Sequence, residues 1–452
     1  MKPEFRKLSL VALAVIFAIS VADTICLAQQ PAPYRLTLQD AIQKGLRANL
    51  NVLSARTRVD EAEGALERSK SAAQLPRLNA ETYVNVQNRN LRAFGISVPG
   101  IPFPTVVGPF SNYDFRIYAQ QNVIDLATYR TMKASEFAVD AGKMDEQDAR
   151  NLIVRSIAAL YLGAQSSEAR VASDQSRVTD SSTLLKLATD KHDAGTATGV
   201  DVLRAQVQLA NDKQALLVAQ NQLKQSLLAL ARNLGMNPGT PLELAEPLHY
   251  KDLPQSQPDA LLPSALKARA DYLSLASQRQ SLVEQQRANR ARFYPKLSIN
   301  GNIGELGRSI GSVQTTGLIQ GQIDFTVFDR DRDGEAVQLA SRVKRIDDQI
   351  ADLERGVDQD IRQALLSLDS ANEQVTVARQ GQDLAQRELS LAQDRFQAGN
   401  ANNVEVVTAQ DQLARAEENY IVAVSSHVDA KFALARAIGE TEKNILQFMG
   451  NP

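Results

Sequence analysis

The chain has 452 residues, and its 50 Lys and Arg side chains nearly balance its 52 Asp and Glu side chains. This balance excludes a strongly basic nucleic-acid-binding protein, so we expect no nucleic acid among its partners. One cysteine and three histidines exclude a disulfide-rich scaffold and leave little material for a zinc cluster or a Cys–His pair. We expect no metal, no cofactor and no enzymatic activity, because no nucleophile, base and orienting group can be assembled.

The first residues have the pattern of a secretory signal peptide. Three basic side chains precede a mostly apolar run over 8–22, which is too short to cross a bilayer as a helix. The small residues Cys26 and Ala28 predict cleavage after Ala28, so we assign 1–28 to the signal peptide. In the alternative, Cys26 becomes a lipid-modified first residue, but the bulky Ile25 before it disfavours this interpretation. No later stretch approaches 18 uncharged apolar residues, which predicts that no transmembrane helix follows.

The rest of the chain contains an internal duplication. An offset of 204 residues relates 123–236 to 327–440 without a gap. Further upstream, Leu75-Pro76 corresponds to Tyr294-Pro295 at an offset of 219. The two offsets differ by 15 residues, which we place in a loop over 91–112 of the first copy. Two long copies predict a duplicated fold, since a solenoid needs at least three short repeats.

In each copy the sequence predicts a long helical hairpin, which turns at Gly195 in the first copy and at Gly399 in the second. Glycine can adopt the positive φ that ends a helix. Apolar residues recur every seven positions on both sides of these turns, which indicates supercoiled helices. The recurring positions are Ile157, Ala164, Val171, Val178, Leu185, Val202, Leu209, Leu216, Leu223 and Leu230, then Ile361, Leu368, Val375, Gln382, Leu389, Val406, Leu413, Tyr420, His427 and Leu434, of which Gln382 and His427 are polar. Polar residues beside this seam favour several helices around a wide, wet centre, whereas an ordinary exported coiled coil is the alternative.

Four segments alternate between apolar and polar residues, as half-buried strands do. Each covers about ten residues, the length of a tilted strand that crosses a bilayer. The apolar positions are Leu78, Ala80, Thr82, Val84 and Val86; Tyr113, Phe115, Ile117 and Ala119; Leu297, Ile299, Gly301 and Ile303; and Ile323, Phe325 and Val327. A soluble sheet alternates in the same way, so the membrane interpretation depends on finding two such segments per copy in an exported chain.

Four strands cannot close a membrane barrel, because the smallest barrels have eight strands and lipid does not tolerate open edges. Two chains would supply eight strands, whose interior is filled by side chains. Three chains would supply twelve strands and leave a bore. The residues therefore require at least two copies and leave the choice between a dimer and a trimer open.

These features together resemble the TolC-like outer-membrane efflux family from about residue 36 to residue 439. The motifs that carry the resemblance are the segment 36–42 leading the first helix, Leu75-Pro76 and Tyr294-Pro295 before the strands, and the paired signatures Ala194-Gly195…Asp201 and Ala398-Gly399…Glu405. The resemblance implies a homotrimer that is mainly α with a membrane β-barrel. Each chain contributes a duplicated unit of long antiparallel coiled-coil helices plus four strands to a 12-stranded barrel and a 12-helix α-barrel.

The resemblance also implies a function, a passive exit channel of a tripartite efflux system in the bacterial outer membrane that extends into the periplasm. Its implied partners are outer-membrane lipid, a periplasmic adaptor protein and an inner-membrane pump. It assigns the adaptor-docking tips to Gly195, Asp201, Gly399 and Glu405. In some members, carboxylates six and nine residues after the second glycine gate the periplasmic mouth, and these positions are Glu405 and Thr408 here. Spacing alone favours another interpretation, in which Asp201 and Glu405 are first-turn acids that interact with a helix dipole, and only the resemblance favours a gate role for Glu405.

Two other functions stay open at this point: an outer-membrane duct for type I protein secretion, and a soluble periplasmic coiled-coil scaffold. The predicted organisation in chain order is signal peptide 1–28, helices of the first repeat 29–76, strands one and two with an external loop 77–125, hairpin one 126–236, linker 237–263, helices of the second repeat 264–295, strands three and four 296–329, hairpin two 330–440 and tail 441–452.

Overall fold

The computed structural model describes residues 33–95, 100, 104–253 and 257–442. The predicted signal peptide and residues 443–452 of the predicted tail lie outside these ranges. The helices are α1 (Leu38–Ala48), α2 (Leu50–Gln74), α3 (Leu126–Asp193), α4 (Gly199–Asn233), α5 (Pro258–Ala268), α6 (Ala270–Ala291), α7 (Asp331–Gln397) and α8 (Asn403–Ala437). The strands are β1 (Tyr34–Leu36), β2 (Arg77–Asn90), β3 (Val106–Ile124), β4 (Leu242–Leu244), β5 (Lys296–Gly307) and β6 (Gln314–Asp324).

Both copies of the repeat build the same series of elements. Helices α1 and α5 have 11 residues each, and α4 and α8 have 35 each. The long helices α3 and α7 have 68 and 67 residues, and 1.5 Å per residue makes each roughly 100 Å long. Because α3 packs along α4 and α7 along α8, each copy forms the predicted hairpin. We call these four long helices the shaft.

The seven-residue pattern is followed more closely in the second copy than in the first. In α7, four of the five predicted seven-residue positions from Ile361 to Leu389 are buried. In α3, the predicted positions beyond Ala164 are only half-buried, and Leu184 and Ala188 fill the core instead. An α-helix repeats every 3.6 residues, so its buried face drifts from a strict seven-residue repeat unless the helices supercoil throughout.

The four long strands form one antiparallel sheet in the order β2-β3-β5-β6. Its registers place the predicted apolar residues opposite one another in rows across the sheet. One row is Leu78, Ala119, Gly301 and Ile319, and the next row is Ala80, Ile117, Ile303 and Gly317. One face of the sheet is therefore mainly apolar, with Glu305 opposite Phe115 and Gln121 opposite Ile299 as polar exceptions, and most of its large apolar side chains are exposed in the single chain.

The opposite face of the sheet is polar and contains a buried carboxylate. The Asp114 carboxylate lies 2.7 Å from the Arg116 guanidinium and accepts a hydrogen bond of 2.7 Å from the Tyr83 hydroxyl. Burying a charge is costly unless it is paired and hydrogen-bonded, and both partners come from the same face. The two faces of this sheet are thus suited to lipid on one side and water on the other.

Strand β6 is shorter than its sequence pattern predicts. The alternation continues through Phe325 and Val327, but β6 ends at Asp324, so the prediction that these two residues are strand residues is wrong for the single chain. The reason lies in the neighbouring strand, because β5 begins at Lys296 and offers no backbone beyond the pair of Lys296 with Asp324. The residues from Phe325 onward connect the sheet to α7.

Two further predicted boundaries are wrong. The loop predicted over 91–112 is shorter, because β3 begins at Val106 and has 19 residues where β6 has 11. The linker predicted over 237–263 ends earlier, because α5 begins at Pro258. Proline is well tolerated as the first residue of a helix, since that position needs no N–H donor.

A short parallel pair of strands, β1 and β4, joins the start of the described chain to the linker between the repeats. Beside it, Leu36, Tyr161 and Phe432 are fully buried, and the Tyr161 hydroxyl donates a hydrogen bond of 3.1 Å to the Leu36 carbonyl. The linker therefore packs against the middle of the shaft. None of the helices in the described ranges combines the length and the hydropathy that crossing a membrane requires.

Candidate functional site

Both hairpins of the shaft turn at a glycine in the left-handed conformation, with φ of 74° at Gly195 and 78° at Gly399. In each turn the glycine N–H bonds the carbonyl three residues earlier, and the next N–H bonds the carbonyl five residues earlier. This Schellman arrangement satisfies the last carbonyls of α3 and α7. A Cβ added at either glycine would meet no atom within 4 Å, so the positive φ rather than crowding favours glycine here.

The first turn of α4 is closed by a capping box between Thr198 and Asp201. The Asp201 carboxylate accepts hydrogen bonds from the Thr198 hydroxyl at 2.6 Å and from the Thr198 N–H at 3.0 Å. These two hydrogen bonds hold the pKa of the Asp201 carboxyl below its ordinary value. Asp201 thus has a capping role, and its role in docking stays a prediction.

The first turn of α8 is built differently. The Asn402 side chain accepts the Glu405 N–H at 3.3 Å, so the cap does not use the Glu405 carboxylate. That carboxylate lies 3.3 Å from the Arg395 guanidinium, which belongs to the last turn of α7 across the hairpin. Thr408, the second predicted gate position, is exposed about one helical turn beyond Glu405.

The two tips are joined to each other. The Lys191 ammonium donates a hydrogen bond of 3.2 Å to the Gln397 carbonyl and lies 5.1 Å from the centre of the Phe396 ring. The Asn403 amide donates a hydrogen bond of 2.8 Å to the Asp201 carbonyl. Below these contacts, all four shaft helices contribute to one apolar cluster (the tip cluster): Leu184, Ala188, Ala205, Ala385, Leu389, Ala392, Phe396, Val406, Ala409 and Leu413.

The structure thereby brings Gly195, Asp201, Gly399 and Glu405 together at one end of the shaft, about 100 Å from the sheet. Sequence reasoning missed Arg395 as the partner of Glu405, and it missed Lys191 and Asn403 as the contacts between the tips. A signal for two of them was present, since Lys191 and Arg395 are equivalent basic residues at the offset of 204.

Further up the shaft, the helices are joined by polar side chains along their seam. Between the two hairpins, the Arg170 guanidinium holds both oxygens of Glu418 at 2.6–3.0 Å, and within the first hairpin the Arg177 guanidinium lies 2.8 Å from the buried Asp212 carboxylate. Burial raises the pKa of the nearby Asp174 carboxyl. This seam is too polar for a dry two-stranded coiled coil. Among the described residues, no group of three or more His, Cys, Asp or Glu side chains could hold a metal ion.

The model of one protein family matches most of the chain. The family is described as outer membrane efflux protein, and its model matches residues 41–236 and 261–440. The two matched stretches contain the two copies of the repeat, and the gap between them covers the linker and the start of α5.

Curated relatives carry names of the same kind. The probable efflux pump outer membrane protein TtgC of Pseudomonas putida is 24% identical over 324 residues, which cover 69% of this chain and 66% of the relative. The pyoverdine export outer membrane protein OpmQ of Pseudomonas aeruginosa is 22% identical over 425 residues, which cover 89% of this chain and 85% of the relative. The match thus spans just under two thirds of TtgC and most of OpmQ.

Solved structures of outer membrane proteins have the same fold. The outer membrane protein VceC of Vibrio cholerae matches with a TM-score of 0.74 at 18% identity, over 89% of this chain and 96% of VceC. The outer membrane channel CmeC of Campylobacter jejuni matches with a TM-score of 0.72 at 17% identity, over 91% of this chain and 89% of CmeC. With its duplicated hairpins, its one-sided apolar sheet and the family model matching over both repeats, the chain belongs to the outer membrane efflux protein family, whose place is the bacterial outer membrane.

Proposed function

We propose that three copies of this chain form a passive exit channel through the outer membrane for a tripartite efflux system. The observation that carries the proposal is the sheet, which has one mainly apolar face and, in the described residues, two outer strands without partners on their outer sides. Lipid cannot satisfy the backbone groups of such edges, so the sheet must be completed by other strands. Three copies supply twelve strands, enough for a barrel with an open bore, whereas eight strands leave an interior filled by side chains.

The shaft extends this channel on the periplasmic side. Its hairpins are antiparallel and have polar seams, so copies placed side by side enclose a water-filled tunnel. The tips at Gly195 and Gly399 then form the end that meets a periplasmic adaptor and, through it, an inner-membrane pump. The relatives named for efflux pumps and for pyoverdine export support small molecules as cargo, which favours this role over type I protein secretion.

The proposal is tested with the purified full chain in detergent and in planar lipid bilayers. We expect a particle with the mass of three chains and discrete cation-conducting steps in the bilayer. A chain that stays monomeric and water-soluble without detergent would overturn the proposal and would favour a periplasmic scaffold.

The docking role of the tips predicts a loss of adaptor binding on Gly399→Val. A β-branched residue at φ 78° costs about 1–2 kcal/mol, and the open space around Gly399 lets the shaft fold while the turn changes shape. We expect adaptor affinity, measured by surface plasmon resonance, to fall roughly tenfold, which corresponds to about 1.4 kcal/mol. The matched control is Gly381→Val in the middle of α7, which adds the same side chain in open space. Equal binding by both variants would remove the tip from the docking site.

The gate role of Glu405 predicts a more conductive channel in Glu405→Ser. This change removes the ion pair that joins α7 and α8 across the turn, and it leaves Arg395 without that carboxylate. An ion pair between half-exposed residues is worth about 0–1 kcal/mol, so we expect closed-state conductance in planar bilayers to rise about twofold to fivefold. The control Asp394→Ser removes one carboxylate from the end of α7 at the same tip of the shaft and leaves this pair intact. Unchanged conductance in Glu405→Ser, or an equal rise in the control, would dismiss the gate.

A further inference from the structure

The two repeats have the same sheet geometry, residue for residue. In the first repeat Leu78 pairs with Ala119, and in the second Leu297 pairs with Ile323. Adding 219 to positions in β2 and 204 to positions in β3 converts the first pair into the second. The same shifts relate all the other pairs that the two registers share, from Arg77 up to Gln87. A contact between the repeats can therefore be transferred by the same shifts.

Within the chain, the repeats meet where β3 pairs with β5. In that register Gln120 lies opposite Asn300, and Gln121 lies opposite Ile299. Adding 204 to the β3 residues leads to β6, and subtracting 219 from the β5 residues leads to β2. The two converted pairs are Asp324 with Glu81 and Phe325 with Ala80. These strands are the two outer strands of the sheet, so the pairs can form only between different copies of the chain.

The segment 325–328 supports this transfer. It is equivalent to 121–124, the last four residues of β3, whose backbone pairs with the start of β5. In the single chain it follows the end of β6, and Phe325, Val327 and Phe328 are between 66% and 82% exposed. The alternation of Ile323, Phe325 and Val327 continues through it, as a strand would require. The segment has the sequence of a strand whose partner belongs to another copy.

The shaft gives independent support at its tip. Leu187 of α3 and Val407 of α8 pack against the tip cluster, which joins the two hairpins within the chain. The shift of 204 converts them into Leu391 of α7 and Leu203 of α4. These two leucines are 60% and 61% exposed. Two large apolar side chains thus stand exposed at the positions that the same repeat symmetry assigns to contacts between hairpins of different copies.

From these observations, and resting on the proposed trimeric channel, we infer the register of the junction between copies. The segment 325–328 extends β6 and pairs with the start of β2 in the next copy, so that Asp324 lies opposite Glu81 and Phe325 opposite Ala80. Leu391 of α7 and Leu203 of α4 in the same neighbour pack into the contact between their two hairpins. The two carboxylates that meet have cations on their far sides, since Glu81 lies opposite Arg116 and Asp324 opposite Lys296.

The junction is tested by cysteine cross-linking of the full chain in outer membranes. Directly opposite residues have Cα atoms about 4.5–5.5 Å apart, which a disulfide spans. We expect Glu81→Cys with Asp324→Cys to give cross-linked dimers and closed trimers on oxidation. The control is Glu81→Cys with Gln322→Cys, two residues out of register on the same face and beyond about 7 Å, with about tenfold less product expected. Glu81→Cys alone and Asp324→Cys alone are also oxidised, because a cross-linked product from either would show a disulfide that does not join positions 81 and 324, such as one to Cys26.

The outcomes separate this inference from the proposed function. Trimers in which the control pair cross-links and the test pair does not would overturn the register and leave the channel standing. A chain that forms no trimer would overturn both. If the strand variants fail to assemble, Leu203→Cys with Leu391→Cys and a short bismaleimide gives a second test. Cross-linked trimers there support the junction, and assembled trimers without a cross-link reject it.

Discussion

Replacing Ile319 with arginine is expected to prevent most of the protein from assembling in the outer membrane. Ile319 lies at the middle of β6 on the apolar face, and it is 86% exposed in the single chain. At the bilayer midplane an arginine on the lipid face of a barrel costs about 2–4 kcal/mol. A trimer would contain three such residues, so the cost applies three times to one assembly.

The measurement is the amount of heat-modifiable trimer in outer-membrane fractions of cells that express equal amounts of each variant. Gln320→Arg is the matched control, because it puts the same side chain on the polar face one residue further along β6. We expect trimer close to the unsubstituted level in the control and a loss of at least about tenfold for Ile319→Arg. If the two variants assembled equally well, the apolar face would not be the lipid face.

Acid is expected to destabilise the shaft through one buried histidine. His427 of α8 is fully buried, with its ring centre 4.8 Å from that of Tyr250 in the linker. Neither ring nitrogen has a hydrogen-bond partner among the described residues. Burial, and then the charge of Lys431, lower the pKa of His427 to about 4, while Asp252 opposes the shift.

The sign follows from where the proton binds. Above pH 6.5 the His427 imidazole is neutral in both the folded and the unfolded chain, so its titration does not lower the free energy of unfolding there. As the pH falls from 6.5 to about 4, the unfolded chain takes up a proton that the folded chain refuses. The free energy of unfolding therefore falls through this window, by up to about 3 kcal/mol.

His427→Phe removes this titration and keeps a ring beside Tyr250. We expect its thermal midpoint, followed by circular dichroism in detergent at one protein concentration, to fall less between pH 7 and pH 4.5 than that of the unsubstituted protein. His249→Phe is the control, because His249 is exposed. A pH dependence that is identical in all three proteins would show that His427 does not titrate in this window.

Lys431 gives a second, separate window at high pH. Its ammonium is buried and donates a hydrogen bond to the Lys251 carbonyl, and burial lowers its pKa to about 8. Below pH 8 the Lys431 ammonium is protonated in both the folded and the unfolded chain. The cost of burying this charge therefore lowers the free energy of unfolding fully in that range. Between about pH 8 and 10.5 the effect disappears as the pH rises, which cannot be confused with the acid window of His427.

Local pattern was enough to predict the faces of the strands and the ends of the hairpins. The alternation around Ile117 and Ile303 fixed which side of the sheet is apolar, because successive side chains in a strand point to opposite faces. Gly195 and Gly399 fixed the turns, because a left-handed helix end favours glycine. The offset of 204 residues fixed the equivalence of the two hairpins without any structure.

The sequence by itself determined the duplicated plan, the strand faces and the two glycine turns, since each of these can be read from the pattern of residues along the chain. Only the tertiary structure decided that Arg395 holds Glu405, that Lys191 bridges the two tips and that β6 stops at Asp324. These features depend on which distant segments become neighbours in space. The end of β6 at Asp324 depends also on a partner strand that a single copy of the chain does not contain.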